Sequence, residues 1–249
     1  FNTDQNLWQL GNAWGGRAGQ IAIEGRGFRF AAISPVNKVD ILPTSNVSVI
    51  DLTSYWPKLE ASYKHLIADG MSAHIFAGWE YTGYNAILND GSKKNGRVSA
   101  LVFGAGGTVN IGPGYINTQV SWYRDGAAAG WLGAALEGDA TVSVTPVVGR
   151  NGKRLDVDSL MAMLALGYVP TERVRFETGI GYLHNKGEGD NKYTNHYYAM
   201  YLQSLLRLAP GIYLVPEIGY FDFGKVFLPG PDRGLGHLWY LGAKWQIDF

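Results

Sequence analysis

Long segments in which apolar and polar residues alternate are the feature of this sequence that most limits its fold. In ERVRFETGIGYL, residues 172–183, the mostly apolar series from Val174 to Tyr182 alternates with charged or small residues from Arg173 to Gly181. A period of two places the two series on opposite faces of a β-strand. The same pattern predicts strands at residues 19–33, 54–67, 71–85, 97–111, 115–124, 157–169, 172–184, 195–208, 212–223 and 236–249.

The lengths of these segments and of their connections point to a membrane barrel. Most predicted strands span about 12 to 15 residues, against about five or six in soluble sheets and about 9–11 for a tilted membrane strand. Transmembrane barrels alternate short periplasmic turns with long outer loops. Short connections at 68–70, 112–114, 170–172 and 209–211 alternate here with long ones at 34–53, 86–96, 125–156, 185–194 and 224–235.

The pattern therefore predicts an all-β fold, a transmembrane antiparallel up-and-down β-barrel with about ten visible strands. Twelve or more strands, or part of a larger barrel, are the alternatives. We divide the chain into an N-terminal segment, residues 1–18, and a barrel, residues 19–249. Counting strands back from the C-terminus puts residues 1–18 on the periplasmic side, as a tail, an internal plug or the remnant of a further strand.

Composition agrees with a β-protein and excludes other classes. The 34 Gly, 15 Tyr, 10 Phe and 8 Trp favour strands, tight turns and aromatic surfaces. The 21 basic and 21 acidic residues balance, so the chain lacks the basic field that nucleic-acid binding requires. The absence of cysteine excludes disulfides, thiolate metal sites and a cysteine nucleophile.

Charged residues fall on the strand face opposite the aromatic residues. Arg or Lys near the bilayer midplane would cost about 2–4 kcal/mol each, so we expect this face to line a water-filled lumen. The alternative is that the charges pair with one another and fill a narrow lumen. The predicted pore-lining residues are Glu24, Lys58, Glu60, Lys64, Glu80, Arg173, Arg175, Glu177, Gln203, Arg207, Glu217 and Lys244.

The connection at 125–156 is unusually apolar for an exposed loop. It begins DGAAAGWLGAALEGDATVSV, and such a segment left in water would be an aggregation or binding patch. Two interpretations stay open. The segment either folds back into the lumen as a constriction or plug, or extends a hairpin outside the membrane, with residues 140–146 continuing it.

The closing residues LGAKWQIDF resemble the C-terminal signature of bacterial outer-membrane β-barrels. Phe249 ends the chain, with Ile247, Trp245 and Ala243 at alternating positions before it. In that family the signature is recognised by the barrel-assembly machinery, so the resemblance implies this role for Phe249, Ile247 and Trp245. It also implies a bacterial outer-membrane location in contact with lipid and lipopolysaccharide.

Residues 165–185 and 208–224 are similar to the last strands of bacterial porins, particularly porin-like proteins of sulfate- and metal-reducing bacteria. They read ALGYVPTERVRFETGIGYLHN and LAPGIYLVPEIGYFDFG. The resemblance implies passive diffusion of small hydrophilic solutes, with a homotrimer as a further expectation. The sequence has no match to the acidic constriction-loop motif of general porins, so it assigns no constriction residue.

Two other functions remain as alternatives to a pore without cofactors. The barrel could be structural, with loops that bind a partner or a lumen that sheathes another protein. An outer-membrane enzyme is disfavoured, because the sequence has no G-x-S-x-G nucleophile motif. His184, His196 and His237, with Asp190, Asp222 and Asp232, are the weak candidates for catalysis or metal binding near the outer loops.

Overall fold

The structure is a computed structural model that describes residues 18–37, 39–41, 46–131, 147–148, 152–187, 193–227, 233–234 and 236–248. No helix within these ranges is long and apolar enough to cross a membrane. The strands are β1 (Gln20–Gly25), β2 (Phe28–Ile33), β3 (Asp40–Ile41), β4 (Val47–Thr53), β5 (Lys58–Ala68), β6 (Met71–Leu88), β7 (Lys93–Ile111), β8 (Gly114–Arg124), β9 (Val147–Val148), β10 (Arg154–Leu155), β11 (Val157–Thr171), β12 (Val174–Gly187), β13 (Tyr193–Ala209), β14 (Ile212–Asp222), β15 (Lys225–Phe227), β16 (Arg233–Gly234) and β17 (His237–Ile247).

The long strands form one antiparallel up-and-down sheet, as the sequence predicts. Its order is β1-β2-β5-β6-β7-β8-β11-β12-β13-β14-β17. The short turns at 26–27, 69–70, 112–113, 172–173 and 210–211 lie at one end of this sheet, which we call the turn end. The longer connections lie at the opposite end, the loop end. The short strand β4 pairs with β6 beside β5, and β3, β9 and β10 form a separate small sheet.

The prediction of a single strand at 19–33 is wrong, because a two-residue turn divides it. Arg26 and Gly27 both have positive φ, 50° and 85°, as the tightest antiparallel hairpins require. A Cβ on Gly27 would lie 2.3 Å from the carbonyl oxygen of Lys64, so the neighbouring strand also favours glycine there.

This turn also reverses the predicted direction of the chain at its start. β1 begins at the loop end, where Ser34 N donates a hydrogen bond of 2.8 Å to Gly19 O. The count of strands from the C-terminus predicts instead that the chain enters its first strand from the opposite, periplasmic end. Residues 1–17 lie outside the described ranges, so the nature of the N-terminal segment stays a prediction.

The predicted outer loop at 86–96 is mostly strand. β6 continues to Leu88 and β7 begins at Lys93, so only residues 89–92 form the turn. Asp90 shapes it, because its carboxylate accepts the Ser92 N–H at 2.9 Å, and Gly91 has a φ of 80°. With 18 and 19 residues, β6 and β7 exceed the roughly 9–11 that a tilted strand needs to cross a bilayer. This hairpin therefore extends beyond the membrane.

Burial alternates along the long strands and separates two faces. On the inner face, buried residues include Val102, Tyr123 and Met161, which the register places on the same face of β7, β8 and β11. The outer face exposes apolar side chains instead: Ile75, Phe103, Val120, Leu164, Ile180, Met200, Leu202, Ile218, Leu241 and Trp245. A band of exposed apolar side chains on long strands is the surface that a bilayer covers.

We expect an arginine to be tolerated on the inner face and not on the outer face of β8. Val120, near the middle of the strand, is 52% exposed on the outer face, whereas Gln119 beside it faces inward. Val120→Arg should lower the free energy of unfolding in lipid vesicles by about 2–4 kcal/mol, because hydrocarbon does not solvate the guanidinium. Gln119→Arg is the matched control and should lower it much less. Equal losses in urea titrations would contradict the assignment of the faces.

Candidate functional site

The inner face carries all but one of the residues predicted to line the pore. Cross-strand pairs share a face, and the register connects these residues across the sheet. Arg173 is the exception, since it lies exposed in the turn between β11 and β12. The inner-face residues are Glu24, Lys58, Glu60, Lys64, Glu80, Arg175, Glu177, Gln203, Arg207, Glu217 and Lys244.

Two of the carboxylates lie in one row across β12, β13 and β14. Glu177 pairs with Gln203, which pairs in turn with Glu217. Glu177 accepts hydrogen bonds from Tyr201 Oη and Gln203 Nε2, both at 2.7 Å, and a third from the Tyr115 hydroxyl. Only 5% of Glu177 is exposed. Three donors from the wall therefore hold a buried carboxylate on the inner face.

The rings of Tyr115, Tyr201 and Tyr240 lie over glycines of neighbouring strands and direct their hydroxyls at these carboxylates. The third, Tyr240, donates to Glu217 Oε1 at 2.6 Å. Sequence reasoning missed the tyrosines, because each pairing depends on a register that the strand pattern alone does not fix. A Cβ atom added at Gly167 would lie 1.9 Å from the Tyr115 ring. At Gly179 it would lie 2.4 Å from the Tyr201 ring, and at Gly219 it would lie 2.3 Å from the Tyr240 ring.

Residues 125–131, which we call the inward turn, fold onto the inner face. Lys58 Nζ donates to Ala129 O at 3.0 Å, and Trp131 Nε1 donates to Glu60 Oε1 at 2.7 Å. The Trp131 ring covers Gly78, where a Cβ would lie 2.5 Å from it. Residues 125–131 therefore fold back onto the inner face, as the first of the two interpretations of 125–156 expects. Their role as a constriction or plug stays a prediction, and residues 132–146 lie outside the described ranges.

A second segment, residues 34–37, reaches the same part of the inner face. Glu80, 1% exposed, accepts the backbone N–H of Val36 at 3.3 Å and of Asn37 at 3.1 Å. Asn37 Oδ1 accepts the Thr82 hydroxyl at 2.9 Å. Val36 also packs beside Gly130 of the inward turn, where a Cβ would lie 3.0 Å from it. The two segments therefore narrow the loop-end half of the sheet's inner side together.

A cavity of about 230 Å3 with a mixed polar and apolar lining remains between the inward turn and the wall. Arg29, Glu60, Ser62, Gln119 and Trp131 contribute to its lining. Donors and acceptors of both signs in one small space suit water or a small polar solute. The inward turn thus narrows the inner side without filling it.

Asp125 fixes the start of the inward turn to β11. Its carboxylate accepts the Val157 N–H at 2.9 Å, while its own N–H donates to Val157 O at 2.8 Å. Burial raises the pKa of the Asp125 carboxyl to about 7, because the site disfavours the charged form. The group is therefore neutral in part near neutral pH, and its ionisation opposes the buried position.

The candidate histidines lie on the outer face near the loop end. His184 and His196 are cross-strand partners with ring centroids 4.6 Å apart, and the Tyr182 hydroxyl is 2.7 Å from His196 Nδ1. His237 pairs with Asp222 on the other side of β14. Asp190 and Asp232 lie outside the described ranges, and no cluster of three metal-ligating side chains occurs within them. These rings form an aromatic band at the lipid-facing rim.

Searches for related proteins give structural likeness alone. No family model matches the chain, and no curated protein matches it. Among solved structures, the outer membrane channel DcaP of Acinetobacter baumannii matches with a TM-score of 0.58 and 12% identity over 91% of this chain. OmpT in its trimer form, an outer membrane protein of Vibrio cholerae, matches with a TM-score of 0.51 and 14% identity over 92%.

The chain spans less than two thirds of these proteins, 61% of the DcaP chain and 63% of the OmpT chain. At such identities the likeness establishes the fold and not the activity. The chain therefore has the fold of bacterial outer-membrane β-barrels, and its exposed apolar band fits that membrane.

We expect ionisation of Asp125 to weaken the fold as pH rises. Its pKa of about 7 exceeds the usual value near 3.9, so the neutral form stabilises the folded state. Stability should fall between about pH 4 and pH 7, by at most about 1.4 kcal/mol per pH unit, and then level off. Asp125→Asn should remove this dependence. Unfolding titrations of both proteins at pH 5, 6 and 8 test it, and parallel pH curves would contradict it.

Proposed function

We propose that the barrel is a porin of the bacterial outer membrane that allows small hydrophilic solutes to diffuse passively through a charged lumen. The observation that carries this proposal is the contrast between its two faces. The inner face carries charged and polar side chains beside its buried apolar ones, while the outer face is an apolar band. Inner-face charges that remain exposed, such as Arg207 and Lys64, require water beside them, because charge is costly to enclose without it.

The two halves of the inner face would have different tasks. The loop-end half is packed, because Tyr84, Val98 and Leu183 are buried there with the inward turn. The turn-end half is more open, and Arg207 is an exposed inner-face side chain in it. We therefore place the narrowest part of the pathway beside the inward turn, with a wider vestibule toward the turn end.

The inward turn would set the size limit of the pathway. Its anchors, Lys58 to Ala129 O and Trp131 to Glu60, hold the backbone and a large ring against the wall. A fixed obstacle of this kind sieves solutes by size, and the charges around it act on those that fit. The likeness to an outer membrane channel supports this proposal at the level of the fold. A homotrimer stays a prediction.

Whole protein in planar bilayers tests the proposal. Stepwise, ohmic conductance is the expected result. A silent membrane, despite a folded barrel that migrates differently after heating on gels, would favour the structural or partner-binding barrel instead.

Removing the ring of the inward turn should widen the pathway. We expect Trp131→Ala to increase single-channel conductance, because the ring that covers Gly78 is lost. Trp56→Ala is the matched control and should leave conductance unchanged, since Trp56 is 64% exposed outside the strands. An unchanged or lower conductance in folded Trp131→Ala protein would show that the inward turn does not limit the pore.

A further inference from the structure

Two arginines occupy the turn-end part of the inner face on adjacent strands. Arg175 on β12 pairs with Leu205 on β13, and Arg207 follows on the same face two residues later. Such diagonal neighbours are close enough for long side chains to meet. The Arg207 N–H also donates to the Arg173 carbonyl at 2.8 Å, which fixes the strand at this point. Both guanidinium groups thus project from a rigid wall.

The guanidinium groups of Arg175 and Arg207 make no hydrogen bond or ion pair with any other residue of the described ranges. Arg207 is exposed and Arg175 is half-buried. Lys64 and Lys244 lie on the same face toward the same end, and they add positive charge. Two acidic residues lie near this end, Glu172 in the turn before β12 and Asp248 beside Gly211 of the turn after β13, and both are exposed outside the strands.

The carboxylates of β12 and β14 are placed differently, since they are buried and bonded to donors of the wall. Glu177 accepts three hydrogen bonds, and Tyr240 donates to one oxygen of Glu217, whose other oxygen, Oε2, is buried without a partner among the described residues. Only 6% of Glu217 is exposed. Their charge remains, but the tyrosine rings and neighbouring strands keep a passing cation from direct contact. An anion meets no such barrier at the arginines. On β12 to β14, contact with the inner face is therefore easier for an anion than for a cation, while the exposed inner-face carboxylate of Glu24 on β1 pairs with Arg29.

We infer that Arg175 and Arg207 form a docking step for small carboxylate-type anions at the turn end, which gives the channel a preference for anions. This inference rests on the proposed channel function. A guanidinium presents paired N–H donors that match the two oxygens of a carboxylate, so the two side chains can pass an anion between them. The aqueous surroundings keep each contact weak enough for the anion to leave.

Reversal potentials of the whole protein in planar bilayers test the inference. In a KCl gradient, and again with potassium acetate, the wild type should favour the anion. The double variant Arg175→Gln, Arg207→Gln should reduce the anion-to-cation permeability ratio by roughly fivefold, because an anion that contacts one arginine at a time loses the attraction of one unit charge at about 4 Å in water. The double variant with lysine at both positions should keep most of the preference, because it keeps the charge.

Two further variants separate this site from general charge effects. Arg97→Gln removes an arginine from the outer face of β7 near the loop end, so it should leave the ratio unchanged. Glu177→Gln removes a charge that the wall encloses, so it should change the ratio less than the double glutamine variant does. Gel migration before and after heating verifies that each variant is folded.

The possible failures are distinguishable. Absence of conductance in the wild type would overturn the channel itself. Ohmic conductance with no anion preference would leave the channel and overturn the inference. A preference that persists in the double glutamine variant would do the same, because the selectivity would then arise elsewhere in the lumen.

Discussion

Every backbone amide within hydrocarbon must find its partner on a neighbouring strand, because lipid offers no competing hydrogen bond. The ladder between β6 and β7 meets this demand without a break, from Met71 opposite Val109 to Ile87 opposite Lys93. Continuous pairing fixes which side of the sheet each residue faces. Only every second residue is then available to build the inner wall, and the rest must suit lipid.

The inner wall meets this limit by combining large and small residues across neighbouring strands. Tyr115 reaches across Gly167 to Glu177, two strands away, because glycine leaves the path clear. One ring thereby covers the backbone of a neighbour and supplies a donor to a buried carboxylate. In the loop-end half of the wall, Gly78 likewise leaves room for the Trp131 ring to lie over its backbone. Glycine in these strands is thus a condition for the shape of the lumen.

The strands and their two faces could be predicted from sequence, because a period of two is a local property. The residues from Val174 to Tyr182 show it most clearly, and Arg175 and Glu177 follow from it directly. The turn at Arg26 and Gly27 was not predicted, because apolar and polar residues continue to alternate on both sides of it. Contacts distant in sequence, such as Trp131 with Glu60, escaped because they depend on where a long connection folds. The outer face was therefore easier to predict than the contacts on the inner face.

β1 and β17 are the two edge strands of the described sheet, and the same pairing demand applies to their free edges. Both strands run from the loop end to the turn end, and each has one paired neighbour in the sheet that the structure describes. Pairing them with each other would be parallel, whereas all neighbours in the sheet order are antiparallel. A second copy inserted in the same orientation would meet the same mismatch. A strand that pairs with the free edge of β17 must run opposite to β17, and one that pairs with the free edge of β1 must run opposite to β1. Because β1 and β17 run in the same direction, a closed up-and-down barrel requires an odd number of strands between them.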